Sequence, residues 1–524
     1  MSQSTTGAKP DVAARAVTDV KWGLIDAAVS AVAPRWGAKR YAARVAIANM
    51  RRGYDAAARD RSTDGWVSGN TSADAEIATA GAILRDRMRD LVRNNAIAAQ
   101  AVQVLVNNIV GTGIVPRANT GDPSLDASVD GLWARWAAGA DAHGHTTFQG
   151  LLSLAVREMI EGGEVFAVKR VLRASGKDLP AGVPLRIEMR EADHLVDTVS
   201  STGLTSKARI INGIEYDRFG RRTAYWMYRD HPGSINLALS LKPVRVPAEK
   251  VAHLFERQRV QNRGVPWGTP AMRAIRDVDD WQRAELVRKK TEACMVGIVF
   301  GADEDQMSMA PTVQDADGNL IEQFEPGLIA YARGGKDIKF NQPSSTAGVY
   351  EWHKTQLHII ASGFRVPYAL MTGDLSQTSF SSSRVGLNEF RRMVSQLQHQ
   401  TVIPMFCDPV WSWFIEMAQV AGLLPTDAQI PVQWTPPRFE SVNPLQDAQA
   451  DMLEVRAGFS SLPQQIARRG QDPETLIADW AAFADRTDAL GLVFDSDPRL
   501  VSKAGLVQAS DPTQLADQAG QGGM

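Results

Sequence analysis

The chain has 524 residues, 44% of them hydrophobic and 22% charged, with a formal net charge of −2. That length divides into roughly two to four domains, the composition excludes wholesale disorder, and near-neutrality excludes tight, sequence-independent DNA binding over the whole surface. No stretch approaches the roughly 20 apolar residues of a membrane span. Asp26 interrupts the mildly apolar Trp22–Ala33, so no secretory leader and no membrane contact are predicted. Cys294 and Cys407 stand far apart, which predicts reduced thiols in a soluble intracellular protein.

In chain order, residues 1–20 are small and polar, and residues 1–34 as a whole are predicted to be a flexible segment. From Arg35 to Arg59 seven basic residues face one acid, Asp55, with Tyr41, Val45, Ile47 and Met50 between them. This is a basic helical arm, either a solvated face or a contact for nucleic acid or an acidic partner. Helical periodicity covers Ser72–Val110, with Ala96–Ile109 as a second helix stopped at Gly111-Thr112-Gly113. It returns over Leu125–Ala138, which carries Trp133 and Trp136, and over Phe148–Glu161, closed by Gly162-Gly163. The period then changes to two: Glu164–Leu172, Leu185–Arg190, Thr223–Arg229 and Val244–Phe255 read as strands, with a turn at Gly220.

Thr269-Pro270 opens a helix of about 28 residues, roughly 40 Å long. Arg273, Arg276, Asp277, Asp279, Asp280, Arg283, Glu285, Arg288 and Lys289 crowd its surface and leave no wide core stripe, so it needs neighbours such as copies of itself. Gly297–Asn341 is mixed, with short strands at Ile298–Phe300 and Leu328–Tyr331 and turns at Asp315–Asn319 and Gly334-Gly335. A helix over Tyr350–Phe364 stops ahead of Pro367. The next stretch, Val366–Arg392, is unusual: its Ser- and Thr-rich loop has Asp374 as its only acid and Arg384 at its far end. Ser383–Gly422 continues as a helical pattern that Pro404 should kink or break near Gln400–Ile403. A strand over Ile430–Trp434, helices over Leu445–Ala457, Leu462–Arg469 and Pro473–Leu490, and a polar disordered tail complete the chain.

Chemistry-bearing motifs are sparse. Gly334-Gly335-Lys336-Asp337 lacks the spacing and hydroxyl of a phosphate-binding loop, and no dinucleotide fingerprint, CxxC or HExxH occurs. His143-Gly144-His145 has no third ligand nearby and predicts a flexible loop. Glu158, Glu161 and Glu164 sit three apart and predict a solvated helix end, with a metal-dependent nucleic-acid enzyme as the alternative. Trp411–Phe414 predicts core, with a partner-facing patch on a non-channel scaffold as the alternative. No catalytic residue, metal or cofactor is predicted.

Several short motifs follow one another in order: Arg89-Asp90-Leu91-Val92-Arg93-Asn94-Asn95, Asn107-Asn108-Ile109-Val110-Gly111-Thr112-Gly113, Glu161-Gly162-Gly163-Glu164 and Arg263-Gly264-Val265-Pro266-Trp267. They are followed by Val366-Pro367-Tyr368, Gly373-Asp374-Leu375-Ser376, Ser381-Ser382-Ser383-Arg384 and Glu389. Over roughly residues 35–495 the chain resembles the lambda-type portal proteins of tailed phages, although Ser379-Phe380 stands where that pattern has Asn-Tyr. The resemblance implies a mixed α+β portal fold. Its parts would be a wing over 35–268, stem helices at 269–295 and 348–366, and a small α/β clip at 296–347. A tunnel loop, kinked helix and return to the wing would fill 367–435, a helical crown 436–495, and a tail 496–524.

The resemblance further implies a homo-oligomeric ring, usually a dodecamer, at the unique capsid vertex of a virion assembled in the host cytoplasm. Double-stranded DNA would pass through its channel during packaging and ejection. The large terminase subunit and later the head-tail connector would dock on the clip, and the major capsid and scaffold proteins would surround the ring. Gly373, Asp374, Ser376, Gln377, Thr378, Ser379, Phe380, Ser381 and Ser382 would face the DNA, with Arg384, Glu389 and Pro404 supporting the following helix. Arg273, Arg276, Asp277, Asp280, Arg283, Glu285, Arg288 and Lys289 would make ring contacts. Hydroxyls and amides touch phosphates without a string of fixed cations, which suits a polymer that must slide.

Overall fold

The computed structural model describes residues 33–36, 39–40, 69–173, 179–198, 209–235, 241–293, 348–376, 380–439, 444–471 and 473–494, and the backbone of five short strands within 297–340. Met1–Thr71 and Ser72–Met524 are separate units. In the first, residues 34–36 and 39–40 are helical, and the rest of the basic arm and of the N-terminal segment lies outside the described residues. Every element below belongs to the second unit. None of its helices is long and apolar enough to cross a membrane.

Helix starts follow cap chemistry. The Ser72 hydroxyl accepts from the Ala75 N–H and opens α1 (Ala73–Asn94). Asn95 closes α1 and caps α2 (Ala96–Ile109), its side chain accepting from Ile97 and Ala98. A strand absent from the sequence reading, β1 (Val115–Ala118), follows. Asp122 caps α3 (Pro123–Ala137), whose first residue is a proline that lacks only an N–H the helix does not use. Thr147 caps α4 (Phe148–Glu161).

The β-rich part begins with β2 (Glu164–Val171), central in a sheet ordered β3–β2–β8, where β3 is Leu185–Glu191 and β8 is Val251–Phe255. The first six residues of β2 are buried because both faces are covered. Val165 and Ala167 join the main core with α4, whereas Phe166 and Val168 join a second core with Leu195, Ile214, Tyr225 and Met227. That second core underlies the sheet β4–β5–β6–β7 (Arg209–Ile211, Ile214–Tyr216, Arg222–Met227, Val244–Pro247). Val244–Phe255, read from the sequence as strands, is two strands in two sheets. A 3-10 turn at Ala248–Lys250 behind Pro247 carries the chain between them.

The first predicted stem helix is α5 (Met272–Ala293), 22 residues long. Strands β9 (Gly297–Gly301), β10 (Val313–Gln314), β11 (Leu320–Ile321), β12 (Ile329–Arg333) and β13 (Ile338–Phe340) form a sheet ordered β12–β9–β13 and a β10–β11 pair. The turns predicted at 315–319 and 334–335 fall outside the described residues. Then come α6 (Val349–Phe364), the short α7 (Tyr368–Thr372) and α8 (Phe380–Leu397).

The irregularity expected around Pro404 is present, as a widened turn and not as a break in the helix. Gln398–Cys407 is a π-helical segment joining α8 to α9 (Asp408–Val420) without leaving helical backbone angles at either junction, and the Asp408 N–H reaches five residues back to Ile403. Widening the turn accommodates the proline ring, which in an α-helix collides with the carbonyl four residues back. Strand β14 (Val432–Thr435) returns to pair with β1, Val115 opposite Thr435. Helices α10 (Pro444–Arg456), α11 (Leu462–Arg468) and α12 (Pro473–Ala489) close the described chain.

The main core gathers where α3, α4, the π segment, α9 and β14 converge. Trp133 sits 4.9 Å from Trp136, 5.0 Å from Phe148, 5.1 Å from Trp411 and 5.0 Å from Phe414, ring centroid to centroid. Trp136 and Trp411 donate their indole N–H groups to the carbonyls of Leu185 and Ile430, so these rings are buried without leaving a polar atom unpaired. Trp411, Trp413 and Phe414 are buried, as the sequence reading expected for that motif. Cys407 is a buried free thiol, and Cys294 lies outside the described residues.

Candidate functional site

The predicted stem pair is in contact. Trp281 of α5 packs against Trp352 of α6 with centroids 4.5 Å apart, and Gln282 meets His353 at 2.6 Å. Helix α5 is anchored at one end only. Met272, Ile275 and Val278 are buried, after which no residue with a described side chain is buried. Its charges pair along the helix: Arg283 with Asp279 at 2.8 Å, Arg276 with Asp280 at 3.9 Å, and Arg288 with Glu285. Arg276 and Arg283 remain 81% and 74% exposed, so these pairs contribute only tenths of a kcal/mol each, about 0.3–0.5. Arg273 and Asp277 rim a groove of ≈ 430 Å³ against Arg87 and Asp90 of α1. Lys289 is exposed, and so are the apolar Leu286 and Val287.

The loop has a defined start. Gly373 adopts φ 73°, which ends α7 at no steric cost. The Asp374 carboxylate then accepts from the Tyr368 hydroxyl at 3.0 Å, from the Ser376 N–H at 3.0 Å and from the Ser376 hydroxyl at 2.6 Å. Those donors, Ser376 first, hold Asp374 at about 2, well below the usual carboxylate range. Gln377, Thr378 and Ser379 lie outside the described residues. Phe380, Ser381 and Ser382 differ from the sequence expectation in their backbone: they form the first turn of α8, which starts three residues earlier than Ser383. A serine run carries no residue that forbids helix, so hydroxyl content misplaces the boundary.

Of the predicted supports, Arg384 donates to Asp447 of α10 at 2.9 Å and ties the start of α8 to the following helical region. Glu389 instead pairs with Arg392 at 3.3 Å, both side chains about four-fifths exposed. It sits more than two turns inside α8, so it does not hold the helix start. Pro404 lies within the π segment.

Two of the short motifs, Glu161–Glu164 and Arg263–Trp267, meet in space. Glu164, at the start of β2, is fully buried. Its Oε1 accepts from Arg263 at 2.6 Å, and its Oε2 accepts from the Gly264 N–H at 3.1 Å and lies 2.9 Å from His253 Nε2. Arg263 and those hydrogen bonds hold Glu164 ionised despite burial, while burial pushes His253 down to about 4. Gly163 (φ 89°) admits this contact, since a Cβ there would fall 2.7 Å from the Val265 carbonyl carbon.

On α4, Glu158 is 4.0 Å from Arg89, whose guanidinium bonds Glu191 at 2.6 Å and Asp193 at 2.7 Å. Glu161 is 3.8 Å from Arg157. The carboxylates read as a solvated helix end are thus two largely buried groups that share the neighbourhood of Arg89 and Glu191, and a third that belongs to a strand and faces Arg263 and His253. His143 and His145 belong to a loop closed on Asp141, which accepts from the backbone of His143, His145 and Thr146.

Sequence reasoning missed Asp447, His253, Glu191 and Asp193. Of the residues they meet, Arg89, Glu164, Arg263 and Arg384 carried a signal, as members of the short motifs. Partners from about 60 to 100 residues away leave no local period to read.

A family model described as phage portal protein, lambda family, matches residues 59–398. The chain is 25% identical over 468 residues to a probable portal protein of Halomonas phage phiHAP-1, covering 84% of this chain and 88% of that one. It is 22% identical over 504 residues to the portal protein of Escherichia phage N15, covering 86% and 93%. It is likewise 22% identical over 512 residues to portal protein B of Escherichia phage lambda, covering 87% and 93%. Among solved structures it is similar to the neck of an empty GTA particle, with TM-score 0.43, 16% identity, and 74% of this chain and 93% of that chain covered. The chain belongs to the lambda family of phage portal proteins. That makes it a structural component of the phage head, at the capsid vertex.

Proposed function

We propose that copies of this chain close into a ring, a dodecamer, whose channel passes double-stranded DNA during packaging and ejection, without catalysis of its own. Helices α5 and α6 form the stem around the channel. The strands between them form the clip, where the large terminase subunit docks and later the head-tail connector; the wing faces the capsid and scaffold proteins. Residues 374–379 reach toward the DNA, and α10–α12 form the crown.

The observation that carries this reading is the outer half of α5. At 1.5 Å per residue the helix is about 33 Å long, yet among its described side chains the last buried one is Val278. Beyond that point it exposes Leu286 and Val287, and α6 exposes Tyr350, Trp352 and Ile359. Charged and apolar side chains alternating on an uncovered helix pair suit a head-to-tail contact, in which two different faces meet around a closed ring. The same holds for Ile477, Trp480 and Phe483 along α12.

The test is a negative-stain image and mass photometry of the purified chain at several salt concentrations: a ring with an axial hole is expected, and a monomer or dimer throughout overturns the reading. The loop has its own test. Deleting 375–379 is expected to leave the ring intact and to impair DNA packaging or retention in particles; unchanged packaging removes the loop from the DNA path.

A further inference from the structure

The end of α6, the segment after β8 and the π segment enclose a cleft of ≈ 290 Å³. Its floor is apolar, with Trp267, Leu397 and Met405. Its walls carry hydrogen-bond donors: Arg257, Arg365, Gln400 and Thr401. The lining holds a single carboxylate, Glu256, and both of its oxygens are engaged: Oε1 accepts from Arg365 at 2.7 Å and Oε2 from Gln258 at 3.2 Å. With Arg257 and Arg365 against Glu256, the lining carries one net positive charge. Arg257 is exposed and makes no ion pair among the described residues.

Three features set the lining beside Arg257, which is itself exposed. Arg365 closes α6 at φ 60°, a left-handed conformation that glycine adopts freely and a long side chain does not. A side chain kept there against that preference is a pointer to function. Its guanidinium lies 4.8 Å over the Trp267 ring. Trp267 is 3% exposed, and its indole N–H has no acceptor among the described residues. Gln400 and Thr401 come from the π segment, whose wide turn alters the direction of the side chains it carries; such segments are frequent at functional sites.

We propose that this cleft binds an oxyanion, a phosphate or a carboxylate group, through Arg257 with Thr401 and Gln400 donating beside it. A cation meets no free carboxylate there. The volume lies at the lower edge of small-molecule sites, so it takes one such group and not an extended ligand. Charge-assisted contacts from a guanidinium are the strong part of such binding, with the neutral donors fixing orientation. The site stands independently of ring formation.

The test is isothermal titration calorimetry of the full chain in Tris at pH 7, with inorganic phosphate in one arm and succinate in the other, each against sodium chloride of equal ionic strength. Saturable binding of at least one, one site per chain, is expected. The Arg257→Gln variant should bind about 10-fold more weakly, with the thermal midpoint in chloride unchanged because Arg257 is exposed and makes no ion pair. Thr401→Val should weaken binding about threefold. Binding of phosphate alone assigns the site to a phosphate-bearing ligand, and binding of succinate alone assigns it to a carboxylate. Absence of saturable heat in both arms, or undiminished affinity in Arg257→Gln, overturns the proposal.

Discussion

At the scale of single residues, two glutamates six positions apart behave oppositely. Burial pushes Glu158 up to about 7, Glu191 adds repulsion, and Arg89 opposes them from 4.0 Å. The folded chain therefore holds that proton more tightly than the unfolded one. Its contribution is complete below about pH 4.5 and is lost as pH rises through 7. Glu158→Gln should match the parent near pH 4.5 and exceed it by up to about 3 kcal/mol at pH 8, read from urea unfolding at both values; an unchanging difference would show that Glu158 does not titrate in this way. Glu164 is displaced the other way, held ionised by Arg263, so its contribution is present above the unfolded carboxylate range and lost on acidification. Arg263→Ala leaves that charge buried and unpaired on one side and should cost about 3–5 kcal/mol in the same measurement. A loss under 1 kcal/mol would mean that His253 and the Gly264 N–H suffice.

At the scale of elements, the helix from Phe380 to Val420 shows how a local rule meets tertiary demand. Proline alone predicts a break, but Val402, Ile403, Phe406, Cys407 and Val410 are all buried, and a break would withdraw them from the core. The backbone widens into a π segment and keeps every buried position. Helix α5 shows the converse. Its pairs at spacings of three and four residues stabilise the helix only weakly, so its length has no explanation within one chain. Arg283→Glu should therefore change the unfolding midpoint by less than about 1 kcal/mol while lowering the fraction of ring in mass photometry. An unaffected ring would remove Arg283 from the subunit contact.

At the scale of the whole molecule, a ring needs surfaces left uncovered by their own chain and a channel wall that does not hold DNA tightly. The net charge of −2 and the single loop acid, already satisfied by Tyr368 and Ser376, agree with the second need. Added cations should act against sliding: Ser376→Lys with Leu375→Lys is expected to slow packaging in vitro, more at low salt than at high, because phosphate contacts release counterions. Equal rates at both salts would show that this segment does not touch DNA.

By itself the sequence determined most of the order of elements, most helix starts, the aromatic core positions and the family. These rest on local periodicity, cap residues and short motifs that each occupy a few neighbouring positions. Only the tertiary structure decided that Glu164 is buried against Arg263 and His253, that Val244–Phe255 serves two sheets, that Arg384 reaches Asp447, and that Pro404 widens its helix without breaking it. Each depends on partners brought together from distant parts of the chain, where burial and hydrogen-bond satisfaction outweigh local preference. The loop at 374–379 stands between the two. Its lack of cations is legible in the sequence, but its anchored start at Asp374 and its early end at Phe380 follow from the fold.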